Sequence, residues 1–462
     1  MKKLGVVITD GVGFRNFVLS DFLMEAEKEF DEVVILSCLP ASVYLGKTKL
    51  RIIELSVFEE HFKTWFFRKA KEVAHLQRFK KENFGFKDAL TKNVSLQKSA
   101  RGYATQFISR FTAVFNSENT IQKFKKLQDI TFLTDSVTKE YRLLLEVENF
   151  DHLFFTHQRP PYIAPLVVEA KKYRIATSTF IFSWDNLASK GRMAADFENY
   201  LVWSDFMKND LLTYYPKIKR DNISVVGTPQ FEPYVLKRYA MLKEDFLKEF
   251  ELDISKKIIC FSCGDISTSK NDELYISTIA ETIENNIIKN AQLLVRTSPA
   301  EDPIRFKEIS EKYSFIKWNY PAWNVSRNEH QEAWSQRVPS INDVKILRAL
   351  LDYSDLNVNM LSTMSLDFML FDKPVINPVF GNADNELYND QRFLKYNHIK
   401  TIVDTKASKI VKNKTELVDA INTYLQNPEL NAENRKKLID LHIGRPLQNT
   451  SKRIAQTLLQ WS

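Results

Sequence analysis

Residues 350–376, LLDYSDLNVNMLSTMSLDFMLFDKPVI, decide how the rest of the chain is read. The stretch opens on the end of a helix and crosses a short apolar segment at 356–358. It then turns through the hydroxyls of Ser362, Thr363 and Ser365 into an apolar helix expected over 366–371. Asp372-Lys373-Pro374 stops that helix, and Val375-Ile376 starts a new strand. Strand, hydroxyl-rich turn, helix and strand make one step of a parallel α/β sheet. Small hydroxyls at such a junction leave backbone N–H groups free at the helix start, which suits a phosphate. Asp367, in the first turn, is placed to cap the helix or to accept from a ribose hydroxyl.

Working outward, the same rhythm runs through both halves of the 462-residue chain, too long for one core. A buried strand is expected at 4–8, followed by a turn at 10–16 holding Gly11 and Gly13, then a helix at 17–29 and strands at 33–36 and 51–55. The two glycines open space at the carboxyl end of the first strand, where α/β sheets bind ligands. They lack the third glycine and the following acid of a dinucleotide site. Residues 57–148 read as a long helical insertion. The sheet resumes at 152–156 and runs into His157-Gln158-Arg159-Pro160-Pro161. A strand at 177–181 leads to Ser183-Trp184-Asp185-Asn186, and Gly227-Thr228-Pro229 marks a hinge. Beyond it, strands are expected at 257–261, 292–295 and 315–317, with an irregular loop at 318–340 carrying three tryptophans. A second polar loop covers 381–385, and the last helix spans 451–461.

Composition narrows the class. Hydrophobic content of 44% with 27% charged residues is that of a globular protein. No run reaches the roughly 20 apolar residues of a membrane helix. The five apolar residues before Thr9 are too few for a secretory signal. Three cysteines make no disulfide framework, and Cys260-x-x-Cys263 lacks a second pair of metal ligands. A cytoplasmic protein, at the inner face of a membrane, is the expectation. The net charge of +7 is concentrated: residues 61–110 hold eight lysines and four arginines against three acids. Six aromatic residues, Trp65 to Phe86, lie in the same stretch. Such a region suits an anionic membrane surface or substrate, and no nucleic-acid module accompanies it.

Three motifs carry a family likeness. Leu293-Leu294-Val295-Arg296-Thr297-Ser298-Pro299 resembles the strand-plus-Arg-x-x-Pro element of polysaccharide-type glycosyltransferases. The block from Asp352 through Ser362, Asp367 and Lys373-Pro374-Val375-Ile376 resembles the donor site found there and in glycerophosphotransferases of wall-polymer synthesis. Ser183-Trp184-Asp185-Asn186 resembles an element of surface-carbohydrate transferases. With the layout of the chain, these resemble the GT-B fold: α/β, two Rossmann-like domains facing a cleft, here with a helical insertion in the first. The resemblance implies an acceptor-binding domain over 1–228 with the insertion at about 57–148. It also implies a nucleotide-sugar-binding domain over 229–445 and a final helix, 446–462, crossing back to the first domain. Where retaining members have Glu-x7-Glu, this chain has Asn359 and Asp367, and Asp372 replaces the Gly before Lys-Pro. The missing first carboxylate tilts the expectation toward inversion.

The implied reaction moves a sugar from a nucleotide-sugar to a surface-glycan, glycolipid or other lipid-linked acceptor, with no resident metal or cofactor. Inversion needs a base near the acceptor hydroxyl and donors for the leaving diphosphate. Asp185, Asp10 and His157 all sit at carboxyl ends of first-domain strands. Asp185 ranks first because Trp184 could stack on a sugar. Gly13, Arg159, Trp184 and Asn186 are the acceptor-side candidates. Arg296 is the expected diphosphate partner, its guanidinium fork matching phosphate oxygens. Ser262, Gly264, Ser362, Thr363 and Ser365 supply further donors, with Asp367 toward the ribose. A nucleotide-sugar epimerase, a polyol-phosphate transferase of the same fold and a non-catalytic sugar- or nucleotide-binding relative are the rival readings.

Overall fold

The computed structural model describes residues 2–328, 330–381 and 390–462; positions 382–385 of the expected polar loop lie outside them. The chain divides into two compact units. One is Met1–Glu232 with Ser326–Val338 and His442–Ser462, and the other is Pro233–Val325 with Pro339–Leu441.

The first unit is built on seven parallel strands: β1 (Lys3–Ile8), β2 (Glu32–Ser37), β3 (Arg51–Glu54), β4 (His152–Phe155), β5 (Ala176–Phe180), β6 (Asn199–Val202) and β7 (Ile223–Val225). Their order is β3-β2-β1-β4-β5-β6-β7, so the winding reverses between β1 and β4. Val7 of β1 is in register with Leu36 on one side and Phe155 on the other. Leu4, Val6, Val7 and Ile8 are fully buried, as a strand covered on both faces requires. The insertion between β3 and β4 is five helices: Phe62–Phe79, Phe84–Lys92, Ala100–Val114, Glu118–Thr131 and Ser136–Glu148. At the far end of the chain, the helix Thr450–Gln460 packs on Phe22–Glu29, and Ser451 donates its N–H and hydroxyl to the buried Glu232.

The expected turn at 10–16 is a helix. Gly11–Phe17 and Phe22–Glu29 are separate helices where one was expected over 17–29. Asp10 is extended, and its carboxylate takes the Gly13 N–H at 2.8 Å, which starts the helix early. The glycines serve close packing instead of open space. A Cβ on Gly11 would lie 1.6 Å from the Arg337 carbonyl oxygen, and one on Gly13 would lie 2.8 Å from Thr156 Oγ1.

The second unit repeats the design with six parallel strands, β8 (Lys257–Ser262), β9 (Ala291–Arg296), β10 (Lys317–Asn319), β13 (Leu356–Val358), β14 (Val375–Pro378) and β15 (Lys409–Val411). Two short strands, β11 (Trp323–Val325) and β12 (Arg337–Pro339), intervene in sequence. The order β10-β9-β8-β13-β14-β15 reverses between β8 and β13. The helix expected at 366–371 runs over Met364–Met369. Asp372, where the resembled motif has Gly, lies in the left-handed region at φ 53°. Asp tolerates that region better than most residues, and its carboxylate accepts from Arg435 Nε at 2.8 Å.

His152 in β4 is fully buried between the hydroxyls of Ser462 and Ser178, and burial, with the Lys2 charge, pushes its pKa down to about 4. The unfolded chain binds a proton near the ordinary value of about 6.5 while the folded chain does not. Stability present above that pH is therefore lost as pH falls, by about 3 kcal/mol near pH 4. Urea unfolding at pH 7.5 and 4.5 should show the loss, and His152→Gln should shrink it.

Candidate active site

The reversal between β1 and β4 is the place where an open parallel sheet leaves a crevice beyond its strand ends. Asp10 follows β1 and His157 follows β4, and the two meet there. His157 Nδ1 lies 2.9 Å from Asp10 Oδ2. Asp10 is fully buried and also accepts from Thr9 Oγ1 at 2.7 Å and from the Gly13 N–H. Burial alone would raise the Asp10 pKa, but the bonds from His157, Gly13 and Thr9 outweigh it and hold the carboxyl below its ordinary value. Burial lowers the His157 pKa, and the Asp10 charge offsets this only in part. At neutral pH the pair is thus a carboxylate and a neutral imidazole whose proton sits on Nδ1. Nε2 is buried and without a hydrogen-bond partner among the described residues. The ring is stacked on Phe182, centroid to centroid 3.8 Å, which fixes its plane. An imidazole held by a carboxylate with its other nitrogen bare is the arrangement of a general base.

The other first-unit candidates surround this pair and have structural work. Asp185 accepts from Ser183 Oγ at 2.7 Å, Asn186 Nδ2 at 3.1 Å and Ser189 Oγ at 3.2 Å, tying the short helix Asn186–Ser189. These bonds give Asp185, ranked first as base, a place in holding its own turn. Asp185→Asn keeps an acceptor oxygen in that turn, so turnover within about twofold of wild type is expected in a transfer assay. Asn186 Oδ1 accepts from Gln158 Nε2 at 3.0 Å, and Gln158 Oε1 accepts from the Phe182 N–H at 3.0 Å. Trp184 is buried edge-on to His442, 4.9 Å away, and offers no face to a sugar. Gly13 is buried with its N–H committed to Asp10, so it leaves the acceptor set too. Arg159, half-buried, donates to the Gly191 carbonyl at 3.1 Å and adds positive charge beside His157.

The expected tryptophan-rich loop contributes instead. Its segment 326–338 belongs to the first unit. Trp334, 43% exposed, has its ring 6.5 Å from that of His157, and the His330 ring meets Tyr162 edge-on at 5.2 Å. Glu332 lies within the field of Asp10, and burial followed by that charge raises its pKa.

In the second unit the reversal between β8 and β13 gathers an asparagine network. Asn359 Oδ1 accepts the Ser362 N–H at 2.8 Å and the hydroxyls of Ser362 and Ser365, each at 3.1 Å. Asn359 Nδ2 donates to Asn357 Oδ1 at 2.6 Å, and Asn357 Nδ2 donates to Ser262 Oγ at 2.9 Å. Asn377 Nδ2 closes the network on the Asn359 carbonyl at 2.8 Å. Three of the N–H groups expected free at this turn are taken: Ser362 bonds Asn359, Met364 bonds Ser362 Oγ and Ser365 bonds the Ser362 carbonyl. Ser262 and Ser365 are buried inside the network, while Ser362 and Thr363 stay half-buried. Gly264 donates its N–H to Asp272 at 2.9 Å, and its carbonyl accepts from Arg305 at 2.9 Å.

Arg296, expected on the diphosphate, has partners inside its own unit. It is buried, and its terminal nitrogens are spent on Asp343, at 3.0 and 3.1 Å, and on Asn319 Oδ1. Asp367 is buried and accepts the Tyr234 hydroxyl in place of a ribose. Cys260 and Cys263 are buried free thiols. Among the described residues no cluster of three or more His, Cys, Asp or Glu could hold a metal, and no helix is long and apolar enough to cross a membrane.

With the geometry in hand, comparison with known proteins is informative. A family model for CDP-glycerol:poly(glycerophosphate) glycerophosphotransferases matches residues 189–460, more than half of the chain. The chain belongs to that glycerophosphotransferase family. No curated protein sequence matches it. Among solved structures, Staphylococcus aureus MnaA with UDP is similar at 10% identity and TM-score 0.54, covering 98% of this chain and 95% of that one. A glycosyltransferase from Rickettsia africae ESF-5 is similar at 13% identity and TM-score 0.53, covering 100% and 99%. The UDP-GlcNAc 2-epimerase of Neisseria meningitidis bound to UDP-GlcNAc shows 13% identity and TM-score 0.51 over the full length of both chains. Identities this low establish the fold alone, and that fold is GT-B. This member of the glycerophosphotransferase family is thus a GT-B protein with a histidine–aspartate pair at its first switch point.

Sequence reasoning named both members of that pair but not their union. It missed Asn357, Asn377 and Asp343, and it read Asn359 only as a lost carboxylate. Asn357 and Asn359 at the end of β13 and Asn377 on the adjacent β14 were the available signal, because buried strands rarely carry amides without a network to satisfy them.

Proposed function

We propose that the chain is a group transferase that moves a glycerophosphoryl or glycosyl group from a nucleotide-diphosphate-linked donor to an acceptor hydroxyl, with His157 as base. The buried Asp10–His157 pair with a bare Nε2 carries this reading. The acceptor O–H proton passes to Nε2 as the oxygen attacks, and the resulting imidazolium is stabilised by the Asp10 carboxylate. In the glycerophosphoryl form the new O–P bond replaces the bond to the leaving nucleoside monophosphate. In the glycosyl form attack at the anomeric carbon expels the nucleoside diphosphate with inversion. The family match favours the first form. Ser362 and Thr363, half-buried at the second switch point, face the donor in this reading, and Trp334 offers the acceptor a stacking surface beside the base. The acceptor is a surface glycan or a lipid-linked saccharide or polyol. No resident metal is invoked, so transfer should persist in EDTA.

The test is a thermal-shift panel of CMP, CDP, CDP-glycerol, UDP, GDP and UDP-hexoses, followed by a transfer assay with the stabilising donor. A selective shift with cytidine compounds supports glycerophosphoryl transfer. A selective shift with UDP or GDP compounds supports glycosyl transfer. No shift with any compound, together with no turnover, would overturn the reading.

A further inference from the structure

The segment Ser326–Val338 lies beside the Asp10–His157 pair within the first unit. Ser326 closes its base, donating its N–H at 2.8 Å and its hydroxyl at 2.9 Å to the Gln336 carbonyl. Inside it, His330 Nδ1 accepts the Glu332 N–H at 3.0 Å, and the Ser335 hydroxyl donates to the Glu332 carbonyl at 2.7 Å. A segment that satisfies its own polar groups can move as one body. Its two ends are held differently. At the trailing end Ser335 and Gln336 are fully buried, and the Arg337 carbonyl packs against Gly11. At the tip Gln331, Ala333 and Trp334 are exposed, and the Gln331 amide donates to the Phe58 carbonyl at 2.7 Å.

This tip covers the base. His157 is 4% exposed, and Nε2, the atom that has to take the acceptor proton, is buried. Asp10 occupies the Nδ1 edge of the ring and Phe182 is stacked on its face. Trp334 stands edge-on to the ring at 6.5 Å with its other side in solvent. An acceptor oxygen has to come within about 3 Å of Nε2. The neighbours of Nε2 therefore have to give way, and the exposed tip is the part that can do so without uncovering the core. A base closed off in this way also cannot turn water against the donor.

We propose that residues 330–338 form a gate over His157, which opens when the tip carrying Trp334 swings away on the limb held at Gly11 and so admits the acceptor in preference to water. The inference rests on the reading of His157 as base, but its first test needs no turnover. Diethyl pyrocarbonate, which acylates neutral imidazole, is applied to the full chain, and each histidine is followed by peptide mass spectrometry. His61, its side chain 79% exposed, is the open reference, and the fully buried His75 reports unfolding. In the wild type His157 should react at least tenfold more slowly than His61. Trp334→Ala and Gln331→Ala should each speed His157 at least fivefold with His75 unchanged. A wild-type His157 as reactive as His61, or equal rates in the wild type and both variants, would rule the gate out. Where a donor turns over, Trp334→Ala should raise donor hydrolysis relative to transfer at least fivefold. An unchanged ratio would remove the gate and leave the base standing, whereas failure of the base itself appears as full activity of His157→Gln.

Discussion

Replacing His157 by Gln is expected to lower the turnover number by about 10²–10⁴-fold, the usual share of a positioned acid–base group, with donor binding by thermal shift unchanged. The reason is geometric: Nε2 is the only buried, bare nitrogen on the Asp10–His157 pair, and glutamine puts no proton acceptor of comparable basicity there. The pH profile sharpens the test. His157 titrates below its ordinary value because burial outweighs Asp10. Turnover should therefore rise through a single acid limb centred below about pH 6.5 and stay flat above it. Asp10→Asn removes the charge that supports the imidazolium, so the His157 pKa drops further. The limb should move to lower pH while the plateau falls. A variant that merely loosened the fold would lower the plateau without moving the limb. Full activity of His157→Gln would remove the histidine from the chemistry and return attention to Asp185.

The second large effect is on stability. Arg296→Ala leaves the Asp343 carboxylate buried and without its main counter-charge, a change that costs about 3–5 kcal/mol when one partner of a buried pair is removed. Trp323 Nε1 at 2.9 Å and the Ala322 N–H at 3.3 Å still reach Asp343, but neither carries charge. Denaturant unfolding should show the loss, while nucleotide affinity of the folded fraction changes by less than about threefold. The double variant Arg296→Met/Asp343→Leu should recover much of the stability, because an apolar pair has no buried charge to strand. A stable Arg296→Ala protein that no longer binds any nucleotide would restore the arginine as a phosphate ligand.

Much of the architecture was legible in the chain. Parallel strands buried on both faces are continuous apolar runs, as in GVVI of β1 and IICF of β8, so such strands could be read directly, whereas the short β15 at Lys409–Val411 was not. The helical insertion was legible for the same reason of period. The short-range errors came from local bonds that periodicity does not encode. Asp10 begins a helix through glycines that look like a turn, and Thr363 and Asn359 set the start of the next helix two residues early.

Residue type by itself determined which side chains could do chemistry: Asp10, His157, Asp185 and Arg296 were all named from their places at strand ends. Only the tertiary structure shows which of them share a contact. Asp10 and His157 are 147 positions apart, and only the pairing of β1 with β4 sets their side chains 2.9 Å from each other. Asp343 likewise reaches Arg296 from 47 positions away and turns a candidate phosphate ligand into a buried ion pair. A charged side chain acquires its role from whichever partner shares its desolvated volume, and that partner is chosen by the order of the strands in the sheet.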